Sequence, residues 1–273
     1  MTAKDGFMVP LADGAEVFCR CKGPEDAPPL CLVSGLGGMA SFWDPVLDAL
    51  AQEFRIILHD HRGTGSSTLS RIRYSIAQMT EDFRQLLDTL GVAEAVVVGH
   101  STGGAIAQTL ALQSPARIKG LVLSSSWAGP DAYFETLFGL RLEVLRKIGA
   151  AAYEQFGALV LTTPDDVKRN PRLVRVTEND ALAKLHDPAI VASRIEALLA
   201  HDRRIDLHRI WQPTLITCAD DDRVTPPHMS EELVALVRHA ELEVFPVGGH
   251  FLPQTEPGAY VDTVRPFVRR VWG

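Results

Sequence analysis

The sequence predicts an α/β fold in which a mainly parallel sheet is covered by helices on both faces. Short apolar segments typical of strands alternate with segments whose apolar residues follow helical spacing. Glycines and prolines bound several of these segments. The strand-like segments are Ala15–Lys22, Leu30–Ser34, Arg55–His59, Ala95–Gly99, Gly120–Ser125, Thr214–Cys218 and Leu242–Val247.

Two helices in the first half of the chain have readable ends. Ser75-Ile-Ala-Gln78 fits a capping box, and Gly91 supplies a stop for the amphipathic helix that it opens. Thr102–Gln113 is apolar on nearly all sides, so we expect a buried central helix that ends at Pro115.

The segment from about Gly129 to about Gln212 holds helical patterns and no convincing strand. The first helical pattern in this segment has an apolar stripe made of Tyr133, Leu137, Leu140, Val144 and Ile148. Another helix begins at Asp187-Pro188, with the proline at the first helical position, and runs to His201.

A helical insertion between strands predicts a lid over the carboxyl ends of the strands, where open α/β sheets bind their ligands. We therefore expect residues 1–128 and 213–273 to form the core and residues 129–212 to form the lid.

Composition and charge limit the partners. The chain has 273 residues, of which 46% are hydrophobic, which suits one large core with an insertion. Its 27 basic and 34 acidic residues are mixed along the chain and give a formal net charge of −7. No basic cluster suggests a nucleic-acid face, so we expect a small-molecule partner. Monomer and homodimer both remain open.

The N-terminal residues contain no apolar core of a secretory signal, and no stretch approaches the ~18–20 apolar residues of a membrane span. We expect a cytoplasmic protein with no membrane partner. Its four cysteines are expected to be reduced, buried thiols, since Cys19-x-Cys21 lacks the second ligand pair of a metal site. No metal or organic cofactor is implied.

The strongest local signal for chemistry is Gly99-His100-Ser101-Thr102-Gly103, between an apolar strand and an apolar helix. A G-x-S-x-G pentapeptide in this context is typical of a nucleophile elbow. The glycines permit a sharp turn that raises the serine hydroxyl above the sheet. Ser101 is thus the candidate nucleophile, and a serine that only caps the helix is the alternative.

A serine hydroxyl needs a base to take its proton, and the chain has nine histidines. His250 is the candidate because it follows the last apolar strand and two glycines, Gly248 and Gly249, on a loop that can reach the elbow. The ring of His100, inside the elbow, is expected to point away from the nucleophile.

The acid that orients the base should follow another strand. Three adjacent aspartates, Asp220, Asp221 and Asp222, lie directly after the strand that ends at Cys218. The spacing D-x-x-x-P to Pro226 selects Asp222 as the orienting acid. The other two are then loop acids that are solvated or hold turn backbone.

An oxyanion hole requires two backbone N–H donors. The glycine-rich turn Ser34-Gly35-Leu36-Gly37-Gly38 follows an apolar strand and can supply one, so we assign the amides of Leu36 and Thr102. Losing such a donor typically costs roughly 3–4 kcal/mol of transition-state stabilisation. A phosphate-binding loop is disfavoured, because no Lys-Ser/Thr pair follows these glycines.

Together these motifs resemble the α/β-hydrolase superfamily from about residue 7 to residue 270. The order Ser101…Asp222…His250 is that of this fold. Asp60-His-Arg-Gly-Thr-Gly-Ser66 and Gly249-His250…Glu256-Pro257 match further motifs of the superfamily. The resemblance implies an α/β-hydrolase fold with a mostly parallel eight-stranded sheet, helices on both faces and a helical lid inserted after the sixth strand.

Within the superfamily the chain is similar to enzymes around 3-oxoadipate enol-lactonase and aminoacrylate hydrolase. The resemblance implies a cofactor-free serine hydrolase of a small, carboxylate-bearing ester, lactone, amide or enamine. A C–C bond hydrolase of meta-cleavage-product type and a receptor-like sensor that retains the triad stay open as alternatives. The shared segments are Ser34-Gly-Leu-Gly-Gly38, Phe42-Trp43, Tyr74-Ser-Ile-Ala-Gln-Met79 and Cys218-Ala-x-x-Asp222.

Five side chains are candidates for substrate binding. Phe42, Trp43 and Trp127 follow predicted strand ends and either line the pocket or pack in the core. Arg141 and Arg146 lie opposite the apolar stripe of the first lid helix, which favours a solvated face. If either turned inward, its guanidinium could bind a substrate carboxylate.

Overall fold

The computed structural model describes residues 6–273, which contain one eight-stranded sheet. Its strands are β1 (Phe7–Pro10), β2 (Glu16–Lys22), β3 (Pro29–Val33), β4 (Arg55–His59), β5 (Ala95–His100), β6 (Ile118–Ser124), β7 (Thr214–Ala219) and β8 (Ala240–Phe245). They lie in the order β1-β2-β4-β3-β5-β6-β7-β8. The β1–β2 and β2–β4 pairs are antiparallel, and the pairs from β4 to β8 are parallel.

Helices occupy most of the remaining chain. The α-helices are α1 (Asp44–Leu50), α2 (Ile76–Thr89), α3 (Thr102–Gln113), α4 (Ala132–Lys147), α5 (Ala150–Leu161), α6 (Pro164–Arg169), α7 (Glu178–Leu185), α8 (Pro188–Leu199), α9 (Pro227–Leu236), α10 (Leu252–Thr255) and α11 (Pro257–Trp272). Short 3₁₀ turns occur at Ala40–Trp43, Pro115–Arg117, Pro171–Leu173 and Leu207–Arg209.

Both faces of the central sheet are buried, as expected for parallel strands that are near-continuous in apolar residues. Every residue of β5 is buried, and its side chains alternate between two cores. Val97 packs in the cluster that contains α2 and α3, whereas Val96 and Val98 pack in the cluster that contains α1 and α11. The predicted fold class is confirmed, although β1 was not assigned and β8 begins two residues before the predicted Leu242.

The N-terminus of α2 shows how local sequence fixes an element. The Ser75 hydroxyl accepts a hydrogen bond from the Gln78 backbone N–H at 3.0 Å, which is the predicted N-cap. The Gln78 side chain contacts Asp82 and does not return to Ser75, so the reciprocal half of the capping box is not formed.

Helices α4 to α8 all lie between β6 and β7, and α5 packs on both α4 and α7. Helix α8 is tied to the loop before α2. The Tyr74 backbone N–H donates to Ser193 Oγ at 2.9 Å, and the Arg71 guanidinium donates to Asp187 at 2.5 Å. These bonds fix α8 against the part of the chain that carries the sheet.

The buried face of α4 differs from the predicted stripe. Tyr133, Leu140 and Ile148 are exposed, whereas Phe138 and Arg141 are buried. Apolar residues occur on several sides of this helix, so periodicity alone allows more than one stripe. The contacts of α4 with α5 and α8 decide which face is covered.

None of the described helices is long and apolar enough to span a membrane. Residues 1–5 lie outside the described residues. They include most of the N-terminal segment for which the sequence predicts no secretory signal. All four cysteines are free thiols, and Cys21 is exposed instead of buried. Strand β1 pairs with β2 only as far as Cys19. Cys21 lies beyond that residue on β2, where the described part of β1 does not pair with the strand.

Two buried histidines predict acid-sensitive stability. Burial lowers the pKa of His59 to about 4 and that of His201 to about 3. Both values lie below the ordinary pKa of about 6.5, so the unfolded chain binds more protons than the folded chain in acid. Each histidine should therefore lower the free energy of unfolding by about 1.4 kcal/mol for each pH unit between about 6.5 and its pKa in the folded protein.

Replacing His201 with Phe is expected to reduce this pH dependence by the contribution of one histidine. Urea unfolding at pH 7.5, 6 and 5 measures it. At pH 7.5 both states are neutral at this position, so a packing change shows there as a pH-independent offset. An unchanged slope in His201→Phe would contradict the assignment.

Candidate active site

Ser101 lies at the sharp turn between β5 and α3. Its backbone adopts φ +52° and ψ −116°, a conformation that L-residues rarely adopt. The turn is crowded: a Cβ on Gly99 would lie 2.3 Å from the Gly103 carbonyl oxygen, and one on Gly103 would lie 2.0 Å from that of Val33. The Ser101 N–H donates to the Ser124 carbonyl at 2.8 Å, which holds the strained turn in place.

His250 lies in the loop after β8, and its side chain is buried. Two preceding glycines, Gly248 and Gly249, have positive φ and turn the chain back toward the sheet. Nδ1 of His250 lies 2.9 Å from Oδ2 and 3.2 Å from Oδ1 of Asp222. The carboxylate therefore holds the proton on Nδ1 and leaves Nε2 as the acceptor.

Asp222, in the loop after β7, is fixed by its own neighbours. Its Oδ1 accepts the N–H groups of Val224 and Thr225 at 2.8 and 3.1 Å, and its Oδ2 accepts the Thr225 hydroxyl at 2.9 Å. Burial raises the pKa of this carboxyl group, but His250 and the two N–H donors outweigh burial and lower the pKa below its ordinary value. Asp222 is therefore an anion at neutral pH.

The neighbouring aspartates have different surroundings. Asp220 is exposed. Asp221 accepts the Gly249 N–H at 2.7 Å and so ties the β7 loop to the histidine loop. Only Asp222 contacts the His250 ring among these three residues.

Ser101 and His250 line one cavity of about 590 Å³. Leu36, Phe42 and Arg141 also lie in its wall. The Ser101 hydroxyl donates no hydrogen bond to the described residues, so the pair shares a cavity without a hydrogen bond between the two side chains. Such bonds are often long before substrate binds.

The two amides assigned to the oxyanion hole have no acceptor among residues 6–273. Leu36 lies in the turn between β3 and the first 3₁₀ turn, and Thr102 is the first residue of α3. The first N–H groups of a helix have no partner within the helix, which leaves the Thr102 amide available to an anion.

The aromatic side chains near the site lie either in the cavity wall or in the hydrophobic core. Phe42 stacks on His100 with ring centroids 4.6 Å apart, and both line the cavity. The His100 ring lies 4.9 Å from that of His250. It therefore faces the cavity, whereas the sequence predicts that it points away from Ser101. Trp43 packs beside Tyr260 in the core below the sheet.

Trp127 also lies outside the cavity wall. It is fully buried, and its ring centroid lies 4.8 Å from that of Phe134. Of the two alternatives for the tryptophans, pocket lining and core packing, the structure supports core packing for both Trp43 and Trp127. Their large apolar rings fill space between the sheet and its covering helices.

The two arginines of α4 lie in different places. Arg141 is buried in the cavity wall, where its Nη2 donates to the Tyr153 hydroxyl at 3.0 Å. Arg146 is exposed and pairs with Glu196 at 2.5 Å, outside the cavity. Arg146 thus lies on the solvated face that the sequence favoured and is not in the wall as a candidate substrate ligand, whereas Arg141 is buried instead of solvated.

Arg194 and Tyr153 are cavity residues that sequence reasoning missed. Arg194 is a basic residue in an otherwise apolar stretch of α8 and is almost fully buried. A charged residue on the apolar face of a helix was the available signal, because buried arginines are rare.

The comparisons with known proteins agree with this architecture. A "Putative carbamate hydrolase RutD" of Caulobacter sp. (strain K31) is 36% identical over 248 residues, which cover 90% of this chain and 92% of that protein. A protein of the same name from Stutzerimonas stutzeri (strain A1501) is 38% identical over 228 residues, 82% of this chain and 85% of that protein.

Among solved structures, the enol-lactonase from Burkholderia xenovorans LB400 superposes with a TM-score of 0.87 at 26% identity and covers 96% of this chain and 100% of its own. A hydrolase from Pseudomonas aeruginosa PA01 gives a TM-score of 0.85 at 29% identity and covers 97% and 99%. The family model for the alpha/beta hydrolase fold matches residues 28–257. The chain therefore belongs to the alpha/beta hydrolase family and is a hydrolase.

Proposed function

We propose that this hydrolase cleaves a small, carboxylate-bearing ester, lactone, amide or enamine through an acyl-enzyme formed on Ser101. The observation that carries the proposal is the bond of 2.9 Å between His250 and Asp222 at the cavity that contains the strained Ser101. A nucleophile, a base and an acid that orients the base are the parts that acyl transfer requires.

In the proposed reaction Nε2 of His250 accepts the Ser101 proton as Oγ attacks the substrate carbonyl carbon. The amides of Leu36 and Thr102 stabilise the negative oxygen of the tetrahedral intermediate. Asp222 stabilises the imidazolium that forms. His250 then donates its proton to the leaving group, and a water molecule, deprotonated by His250, hydrolyses the acyl-enzyme and frees Ser101.

The size and walls of the cavity support a small substrate. A volume of about 590 Å³ lies within the ordinary range of small-molecule sites. Similar proteins are named for a carbamate and an enol-lactone, and both compounds have a carbonyl bonded to a heteroatom. We further propose that residues 129–212 act as the lid and residues 1–128 and 213–273 as the core, because α4, α5, α7 and α8 contribute residues to the cavity wall.

A panel of p-nitrophenyl esters, lactones and dicarboxylate half-amides tests the reaction class. Turnover of at least one substrate, unchanged by EDTA, is the expected result. If a vinylogous 1,5-diketone were cleaved while every ester, lactone and amide resisted, C–C bond hydrolysis would replace the proposal. Binding without any turnover would favour a receptor.

The pH dependence is expected to show one ionisation. kcat/KM for a neutral ester should rise with pH and then level off, because His250 must be neutral to accept the Ser101 proton. Burial lowers the pKa of His61 and His100 well below its ordinary value, and the pKa of Asp222 is also lowered. These three groups should therefore keep their charge across the range in which an ordinary histidine, with a pKa of about 6.5, ionises. A profile from pH 5 to 9 measures it, and a fall in kcat/KM with rising pH would contradict the role of His250.

A further inference from the structure

Two buried guanidinium groups line the cavity from different helices. Arg141 of α4 is 5% exposed and Arg194 of α8 is 1% exposed, yet both reach the cavity wall. An arginine is charged at every physiological pH and is almost never buried without a partner that compensates the charge. Burial lowers the pKa of Arg194 to about 10, so it too is a cation at neutral pH.

Neither arginine has a carboxylate partner within 4 Å in the described part of the chain. Arg194 donates to the Arg62 carbonyl at 3.2 Å and to Nδ1 of His61 at 2.9 Å. The low pKa of His61 makes that ring neutral and able to accept. Arg141 donates to the Tyr153 hydroxyl. All of these partners are neutral, so both positive charges remain uncompensated.

Both guanidinium groups also keep unused donors. The Nε of Arg141 and the Nε of Arg194 are buried without an acceptor. Each side chain has five N–H donors, and the bonds above use one in Arg141 and two in Arg194. A buried cation with free donors is costly unless an anion enters the site.

The acidic groups in the cavity wall are engaged elsewhere. Glu154 pairs with Lys184, and Asp180 accepts the Thr177 hydroxyl at 2.6 Å. Arg172 also lies in the wall but is exposed to solvent, so the buried positive charge in the described part of the wall is located at Arg141 and Arg194.

Tyr153 contacts one of the two cations and lies within electrostatic range of the other. The Arg141 guanidinium lies 4.9 Å from the centroid of the Tyr153 ring, and the positive charges of both Arg141 and Arg194 act on the Tyr153 hydroxyl. The set Arg141, Tyr153 and Arg194 is called the arginine pair site below.

The arginine pair site borders the proposed reaction centre. A Cβ on Gly38 would lie 2.7 Å from Nη2 of Arg194, so this guanidinium lies against the end of the turn that carries the Leu36 amide. A carboxylate held by Arg194 would therefore lie close to a substrate carbonyl whose oxygen is held by that amide.

We infer that the arginine pair site binds a second carboxylate on the acyl group of the substrate. The substrate class is then a half-ester, half-amide or lactone of a short dicarboxylic acid, with the carboxylate held by charge-assisted hydrogen bonds. This inference rests on the proposed function, because it places the carboxylate relative to acylation at Ser101.

A matched pair of methyl esters tests the site. Monomethyl glutarate and monomethyl succinate carry the carboxylate, and methyl 4-methylpentanoate replaces the succinate carboxylate with a neutral isopropyl group of similar shape. In the wild-type enzyme, kcat/KM should favour the half-ester. The compared quantity is the ratio of kcat/KM for monomethyl succinate to kcat/KM for methyl 4-methylpentanoate. Arg194→Met and Arg141→Met should each lower this ratio by about 100-fold, as expected for loss of one partner of a buried charge pair.

Arg146→Met is the matched control, since Arg146 lies on the same helix as Arg141 and outside the cavity. The control should keep the wild-type ratio. An unchanged ratio in Arg194→Met, whether kcat/KM for the two esters falls equally or not at all, would overturn the arginine pair site.

A binding measurement covers variants that fold poorly. In the wild type, free glutarate should inhibit hydrolysis of the neutral ester competitively, whereas glutaramide should not. The inhibition constant of glutarate should rise at least about tenfold in Arg194→Met and in Arg141→Met where these variants fold, and should stay unchanged in Arg146→Met. No inhibition by glutarate would contradict the site.

The two proposals can fail separately. Hydrolysis of the neutral ester without preference for half-esters or inhibition by glutarate would leave the hydrolase proposal and remove the arginine pair site. A rise in Tm with glutarate in a protein that hydrolyses no ester, lactone or amide would retain the anion site and remove the proposed acyl-enzyme reaction.

Discussion

Ser101→Ala is expected to lower kcat for every substrate of this protein by about 10⁴-fold or more, because no other group can form the acyl-enzyme. An activated fluorophosphonate should add once to the wild-type protein, at Ser101, and should not add to the variant. Intact-mass measurement of the labelled protein checks the stoichiometry, and peptide mapping checks the position.

Ser41 provides a control for that experiment, because it also lies in the cavity wall but on an exposed 3₁₀ turn without a strained backbone. Ser41→Ala should label at the wild-type rate. Persistent labelling of Ser101→Ala at another serine would refute the assignment of the nucleophile.

Asp222→Asn is expected to lower kcat by about 10⁴-fold with little change in fold. Oδ1 of Asp222 accepts two backbone N–H groups, so an asparagine would keep its oxygen there and turn its NH₂ group toward Nδ1 of His250. That arrangement places the His250 proton on Nε2, where it cannot accept the proton of Ser101.

The other two aspartates are the matched controls. Asp220 is exposed, and Asp221→Asn keeps an oxygen that can accept the Gly249 N–H. Both amide variants should retain most of the activity. Loss of activity in Asp221→Asn together with an active Asp222→Asn would show that the orienting acid is Asp221.

The fold and the arrangement around Ser101 could be predicted because their signals are local. A buried parallel strand is apolar throughout, and a sharp turn after it requires glycines on both sides of the serine. Asp222 and His250 follow other strands of the same sheet, and the carboxyl ends of parallel strands share one edge. Chain order and spacing therefore select three candidates, of which the structure pairs Asp222 with His250 and places His250 and Ser101 at one cavity.

The substrate side of the cavity could not be predicted in this way. Arg141 and Arg194 are 53 positions apart in sequence, and their approach depends on how α4 packs on α8. The sequence of α4 supports more than one apolar stripe. The predicted stripe places Arg141 on a solvated face, whereas the structure buries it. Which aromatic residues reach the cavity also depends on packing, since Phe42 lines the wall and the adjacent Trp43 lies in the core.

The attachment of α8 to the loop before α2 has a consequence for how the range of substrates could change. Because Ser193 and Asp187 fix α8, Arg194 keeps its place beside the oxyanion turn when other parts of the wall are altered. Helices α5 and α7 pack on one another and supply another part of the wall. Libraries that vary wall residues of α5 and α7 but retain Tyr153 should therefore yield enzymes with different acyl-chain lengths and an unchanged preference for acidic substrates.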